Sequence, residues 1–486
     1  MRTAYRRSAS GLSLIAGLRT ALAASMVILA ACSGGAATMK ASSGASMLSV
    51  GTITGFGTVH LNGQVFQTTA ARITVNGQVA TQADLRVGEV VQVTGHHDDA
   101  SNTDVADDIE YHDSVQGPVS SIDLTGQKVV VLGQTVLVST DTSFGAGITP
   151  ASLAGIAVGD ILEVSGMPTS SGDIQASRVE REPAGSPFRV TGAASATDGM
   201  AKHLMINALL VDFSAAQLVG FMASGPKDGD RVEASGTTLG SAGELQATKL
   251  ELRGGDDFSG DADDNVELEG LVTRFASATD FDVSGHGVTT TSTTTYVGGM
   301  STDLALNARI EVEGTVNTAG VLVATKVRFE PASATELVGQ ADAVDTVNGT
   351  VTVLGIPVSI TSMTRFEDQS DEGVSTFSLA DVHTGDWLKI RGDESPAGSN
   401  MLVATRLERI GMQSGVRIAG TVKTATSPNF TILSVNIATT PTTDFRSLSS
   451  TTFFMNLVGQ LVWVKGSWDG TTLTATQASF GEDEED

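Results

Sequence analysis

Cysteine occurs once in this chain, at Cys32, so no internal disulfide and no multi-cysteine zinc site can form. Aromatic residues make up 5% of the sequence, and prolines number 11. Basic residues are also scarce: 29 Lys and Arg stand against 55 Asp and Glu, for a formal net charge of −26. Nucleic-acid binding needs stacking aromatics and a basic groove, and a carboxylate surplus of this size repels phosphate backbones. The familiar catalytic signatures are missing as well. There is no Gly-x-Ser-x-Gly elbow, no phosphate-binding Gly-x4-Gly-Lys loop and no His-Glu-x-x-His helix. Two things are plentiful: a hydrophobic fraction of 41%, which argues against wholesale disorder, and 54 glycines.

The N-terminus carries Arg2, Arg6, Arg7 and Arg19 and no acid, followed by an uncharged, mostly apolar run from Ala21 to Ala31. That run is far short of the ~20 residues needed to span a bilayer, and it reads as the core of a signal peptide. It ends in Leu29-Ala30-Ala31-Cys32, which resembles a bacterial lipobox. The resemblance implies acylation of the Cys32 thiol, cleavage of residues 1–31 and acylation of the new amino group. Two or three chains anchor a protein stably. Ser33 after the cysteine implies, by the same resemblance, an extracytoplasmic protein on the outer membrane. Residues 32–47 are mostly Gly, Ala, Ser and Thr, a flexible tether.

The remainder repeats. A turn residue and a glycine seven positions later recur six times, at Gly88/Gly95, Gly159/Gly166, Gly229/Gly236, Asn307/Gly314, Gly385/Gly392 and Gly459/Gly466. The third and fifth residues after the turn are apolar or Ala, as in Leu162/Val164 and Ile310/Val312. The fourth is Gln92, Glu163, Glu233, Glu311, Lys389 or Trp463. Such alternation marks a half-buried strand, with the fourth residue outward and the acids among them solvated. Gly or Asn at the turn predicts a left-handed backbone there. A Ser/Thr-started segment such as Thr81-Gln-Ala-Asp-Leu85 predicts one or two helical turns before each such strand. Each module closes with an Ala-led strand such as Ala176-Ser-Arg-Val179-Glu180. Each opens with a strand carrying Gly51, Gly117, Gly192, Gly270, Gly339 or Gly420, followed by a hairpin.

The order strand, strand, strand, short helix, strand, strand is that of an OB-type barrel; an open sandwich or an SH3-like barrel is the rival. The expected fold class is all-β: a tandem array of six small OB-like five-stranded β-barrel modules, each with a short helical segment. The modules span 48–113, 114–183, 188–253, 266–331, 335–410 and 415–480. An acidic linker occupies 254–265 and an acidic tail 481–486. The array reads as a tethered string of small domains. The strand Val158-Gly159-Asp160-Ile-Leu-Glu-Val-Ser-Gly166 and the ending Ala176-Ser-Arg-Val-Glu180 resemble the bacterial secreted domain of unknown function 5666 over roughly residues 48–480. That resemblance implies no activity and no catalytic residues.

Candidate chemistry is sparse. His96-His97 after a strand glycine and His112 at the module end are a candidate metal site, or simply an exposed polar hairpin. Asp261, Asp263 and Asn265 have the spacing of the first ligands of a calcium loop. Val266 and Val272, however, stand where an EF-hand needs Gly and Glu. Calcium is therefore the one ion suggested, with a solvated linker as the plain alternative. Trp463, read as exposed, and nearby Trp468 form a candidate stacking pair for a sugar or a partner, or else cover a sheet edge. The leading expectation is a non-catalytic envelope lipoprotein with no cofactor. It is held to the membrane by its N-terminal lipid and presents an acidic surface to an envelope protein, polysaccharide or cation. A calcium- or metal-responsive envelope protein and a carbohydrate-acting hydrolase are the alternatives.

Overall fold

The computed structural model describes residues 46–253, 265–330, 335–374, 376–446 and 448–480, all within one compact unit, Ser43–Asp486. Cys32, tether residues 32–45, Asp261, Asp263 and the acidic tail lie outside the described residues, while Ser46 and Met47, expected in the tether, already pair as strand with His96 and Gly95. The protein is all-β. Helix is confined, among the described residues, to four single 3₁₀ turns such as Gln82–Asp84 and one short α-helix, Ser450–Phe454. The turns at Gln82–Asp84 and Leu379–Asp381 begin as their sequences predict. Thr81 and Ser378 each present a backbone N–H and a hydroxyl to the acid three residues on, at 2.8–2.9 Å.

Strand pairing settles the barrel type. In the first module the opening strand Ser46–Gly55 pairs with Val59–Leu61, and that strand with Gln64–Gln67. The third strand then runs parallel to the fifth, Thr103–Tyr111. The fifth pairs with the fourth, Val90–Asp98, which returns to the first. This 1-2-3-5-4-1 circuit with its parallel closure is the OB order. The same circuit of pairings runs through 115–182, 188–252, 265–329, 335–410 and 416–480.

The repeated glycines have distinct mechanical reasons. Gly159 at the turn has φ +94° and Asn307 has φ +64°, as the sequence predicts. The acid after the turn closes it: Asp160 accepts the Ala157 N–H at 2.8 Å, and Asp230 and Asp386 accept the equivalent N–H groups. The glycine seven residues on is needed because the strands come too close for a side chain. A Cβ at Gly166 would lie 2.4 Å from the Gln175 carbonyl oxygen. At that point Ser165 faces Arg178 but Gly166 faces Ala176, so Ser177 is an extra residue, a β-bulge. The bulge explains the Ala-x-x-Val endings: with one residue extruded, Ala176 and Val179 both reach the core despite their odd spacing. The opening-strand glycine makes room for the hairpin tip; a Cβ on Gly117 would sit 2.8 Å from that of Leu132.

The expected string of separate domains is not what forms. Among the described residues the strands fall into three sheets of 12, 12 and 11 strands, each uniting two barrels through their opening strands. Met47–Val50 runs parallel to Asn265–Leu268. Val115 and Gln116 pair with Val190 and Arg189. Leu337 pairs with Ile418. One apolar core then serves both barrels of 115–252, and another both barrels of 335–480. The barrels of 46–111 and 265–329 keep separate cores, with Leu48 and Val50 of the first lending themselves to the second.

Candidate functional site

The fourth-position acids, expected in water, lie instead in seams between barrels. Glu233 and Glu311 are buried, and Glu163 is largely so. Alternation distinguishes the core face of a strand from its other face; it does not say that the other face meets water. Here a neighbouring barrel covers it.

Three charged seams result. In the first, Arg189 donates to Asp113 at 2.7 Å, Tyr111 donates to Glu163 at 3.0 Å, and Arg253 and His112 flank Glu233 at 2.5 and 3.3 Å. Burial pushes the Glu163 carboxyl up to about 7, with Asp113 adding to the shift. Burial also opposes ionisation of Glu233, but the hydrogen bond from His112 and the charge of Arg253 outweigh it and hold that carboxyl down to about 2.

The second seam joins barrels 46–111, 115–182 and 335–410. Arg178 donates to Glu180 at 2.7 Å, to the Val87 carbonyl at 2.8 Å and to Glu367 at 3.3 Å. Arg406 donates to the other Glu367 oxygen at 2.7 Å and to the Thr142 carbonyl at 3.2 Å. Arg365 donates to the Asp141 carbonyl at 2.8 Å. Burial and the repulsion of Arg309 and Arg406 lower the Arg365 guanidinium to about 10. Glu89, also buried here, accepts the Arg86 N–H at 2.7 Å, and burial raises it to about 8.

The third seam lies between barrels 46–111 and 265–329. Glu269 accepts from the Thr52 N–H at 2.7 Å and from Arg309 at 2.9 Å. Glu267 accepts from Gln64 at 2.5 Å and from Ser49 at 3.3 Å.

The histidines expected as metal ligands do not come together. His96 contacts Asp107 at 2.9 Å, His97 contacts Asp104 at 2.7 Å, and His112 belongs to the Glu233 cluster. Among the described residues no three His, Cys, Asp or Glu side chains form a metal-holding group. Asn265 begins a strand in register with Met47 and Thr315, while Asp261 and Asp263 fall outside the described residues. Trp463, read from the sequence as exposed, is buried, with 3% of its surface accessible, opposite Ala419 in the pairing of the last module's opening and fourth strands. Its ring therefore offers no stacking face. Trp468 is half-buried and packs near Gly355 of the adjoining barrel.

A cavity of about 30 Å³ lies beside Asp141, Gln175 and Arg309, room for a water or two. A recess of about 230 Å³ on the first barrel is lined by Arg72, Gln92, Thr94, Asp108 and Glu110. Small-molecule sites more often measure ~300–1,000 Å³ with apolar walls. Sequence reasoning missed the buried arginines, although one signal was present. Arg178 and Arg406 stand at the same place in their Ala-led strands, each just before a core residue and two before an acid, Glu180 or Glu408, with which it pairs.

The family model for a domain of unknown function, DUF5666, matches residues 50–110, 116–180, 269–328, 338–408 and 419–478, more than half of the chain. No curated protein matches the sequence.

Proposed function

The chain belongs to the DUF5666 family, and from that premise we propose that it is a non-catalytic structural and binding protein of the cell envelope. In this reading Cys32 is lipidated, the anchor lies in the outer membrane, and the paired barrels form one acidic body offered to an extracytoplasmic protein or polysaccharide. Residues 188–253 are its sixth, divergent copy of the module, since they follow the same circuit of strand pairings.

The observation that carries the reading is the use made of the polar side chains. Charged residues that an enzyme would gather around a cleft are spent between barrels, on Arg178–Glu367 and Arg189–Asp113 pairs and on the bond from the Thr52 N–H to Glu269, contacts that fix one domain against another. Burying such pairs is costly unless the geometry is satisfied, and its best-attested benefit is a single defined arrangement. Rigidity between modules suits a scaffold or spacer.

Two measurements test this. Cys32→Ala should move the protein from the membrane fraction to the soluble extract; retention of the variant in membranes would refute the anchor. Affinity capture from envelope extract should retain a protein or polysaccharide that salt releases, because an acidic surface binds through screened charge. A second reading, a cation-responsive array, is favoured by one place in the third seam.

A further inference from the structure

On the strands Asn265–Ser277 and Arg309–Val316 acids face acids. Glu267 lies directly opposite Glu313, and Glu269 opposite Glu311. Like charges in directly opposed positions of an antiparallel pair are destabilising. Three cations reach this block: Arg309 contacts Glu269 and Glu330, Lys326 contacts Glu313, and Arg328 stands 3.6 Å from Glu311. Five carboxyl groups thus share three positive charges. Neighbouring barrels do not make good the difference, since Asp104 and Asp141 approach as well as Arg365.

Hydrogen bonding is short in the same place. Glu311 is 1% exposed, and neither of its carboxylate oxygens receives a hydrogen bond. The barrel packed against the block brings two more oxygens in the same condition, Asn62 Oδ1 and Gln64 Oε1. These are not amides turned the wrong way round. Asn62 spends its NH2 on Ser49 Oγ at 3.0 Å and the Val50 carbonyl at 3.1 Å, and Gln64 spends its own on Glu267. Gly51 lets the two sides meet: a Cβ there would lie 2.1 Å from Asn62 Oδ1 and 2.9 Å from a Glu269 oxygen. The seam therefore combines surplus negative charge with buried acceptor oxygens that have no donor. Water, which brings donors but no charge, would answer only half of that.

We propose that this seam binds a hard divalent cation of the calcium type, held by the carboxylates of Glu267 and Glu311 with the amide oxygens of Asn62 and Gln64. The donor set is all oxygen, the preference of calcium rather than of zinc or copper. One divalent ion supplies the two charges missing among the five carboxyl groups and three cations of the block itself. It also ties a strand near the N-terminal end of the folded body to a barrel some two hundred residues away. This inference rests on the cation-responsive reading and is independent of the anchor.

The test is thermal unfolding of chelator-stripped mature protein with millimolar calcium chloride or with EDTA, together with calorimetric calcium titration. Wild-type protein should melt several degrees higher with calcium, because a ligand bound only by the folded state stabilises it. Glu311→Gln, which keeps the shape, should lose that gain, and Asn62→Ala should weaken binding at least tenfold. Absence of a calcium shift in the wild type would overturn the proposal, and a stabilised Glu311→Gln would then show that protons fill the block. A full shift in Glu311→Gln that disappears in Asp261→Ala/Asp263→Ala would place the ion in the linker and equally overturn it. Neither result touches the membrane-fraction test of the scaffold reading.

Discussion

Replacing Glu89 by Gln should stabilise this protein, and increasingly so as the pH rises. Glu89 is 3% exposed. Its carboxylate accepts the Arg86 N–H at 2.7 Å, a bond that a glutamine carbonyl oxygen can accept as well. Burial is the main influence on its carboxyl and raises it from 4.5 to about 8; the Arg86 N–H and the charge of Arg178 pull the other way without prevailing. A carboxyl raised on folding holds its proton more tightly in the folded chain than in the unfolded one. Below about pH 4.5 both states are protonated and the residue costs nothing. Through the window up to about pH 8 the unfolded chain sheds its proton first, so stability falls; above that window the cost is complete. At 1.36 kcal/mol per unit the ceiling is about 5 kcal/mol, and we expect about 2–5 kcal/mol in practice. Urea unfolding followed by far-UV circular dichroism at about pH 5 and about pH 9 measures it. Comparing variant with wild type at each pH cancels the contributions of the other raised carboxyls. The two proteins should be nearly equal at the lower pH, with the variant the more stable at the higher. A variant less stable than wild type by over ~1 kcal/mol at pH 9 would mean that ionised Glu89 is well paired with Arg178, and the reasoning would fail.

Three further substitutions probe the packing and the seams. Gly166→Ala forces a methyl to within 2.4 Å of the Gln175 carbonyl oxygen and should cost at least about 1–3 kcal/mol. Gly199→Ala, in an open turn with nothing within 4 Å, should stay within about 0.5 kcal/mol of wild type in the same urea titration. Arg178→Met leaves buried Glu367 short of a donor and the Val87 carbonyl unpaired, and should destabilise by about 3–5 kcal/mol. Limited proteolysis should then cut between barrels before it cuts within them; unchanged cleavage would mean that Arg178 does not hold the seam.

Much of each module could be read from its residues, and almost nothing of how modules meet. Period-two patterning found the fourth strand in every repeat, and Gly159 and Asn307 took the left-handed turn their side chains permit. The spacing of Ala176 and Val179 breaks that period, and only the strand pairing shows why: Ser177 is extruded by a bulge. Glu163, Glu233 and Glu311 were misjudged for a definite reason. A polar residue that alternates with a buried one reads the same whether it faces water or an arginine of another barrel. The distinction depends on contacts between residues far apart in sequence, such as Arg178 and Glu367 or Thr52 and Glu269, and no local pattern encodes these. Trp463 was misplaced by the same blindness.

The opening strands explain why such contacts arise at all. In the first module the later part of the strand, Ile53 to Gly55, pairs with the hairpin and closes its own barrel. The earlier part, Met47 to Val50, meets the fourth strand on one side only, so its other edge would be left unpaired. An unpaired edge invites pairing with another chain. Here Asn265–Leu268 takes it. The corresponding edge at Val115 and Gln116 is taken by Val190 and Arg189, and that at Glu336 to Val338 by Arg417 to Ala419. Each barrel therefore carries one open edge and one natural partner, which favours an even number of copies. Five matched segments would leave one edge bare, and residues 188–253 cover it. Once edges pair, the polar faces beside them must close on each other. Their side chains then have to be matched in charge, by arginine where the geometry allows and by a proton or a cation where it does not.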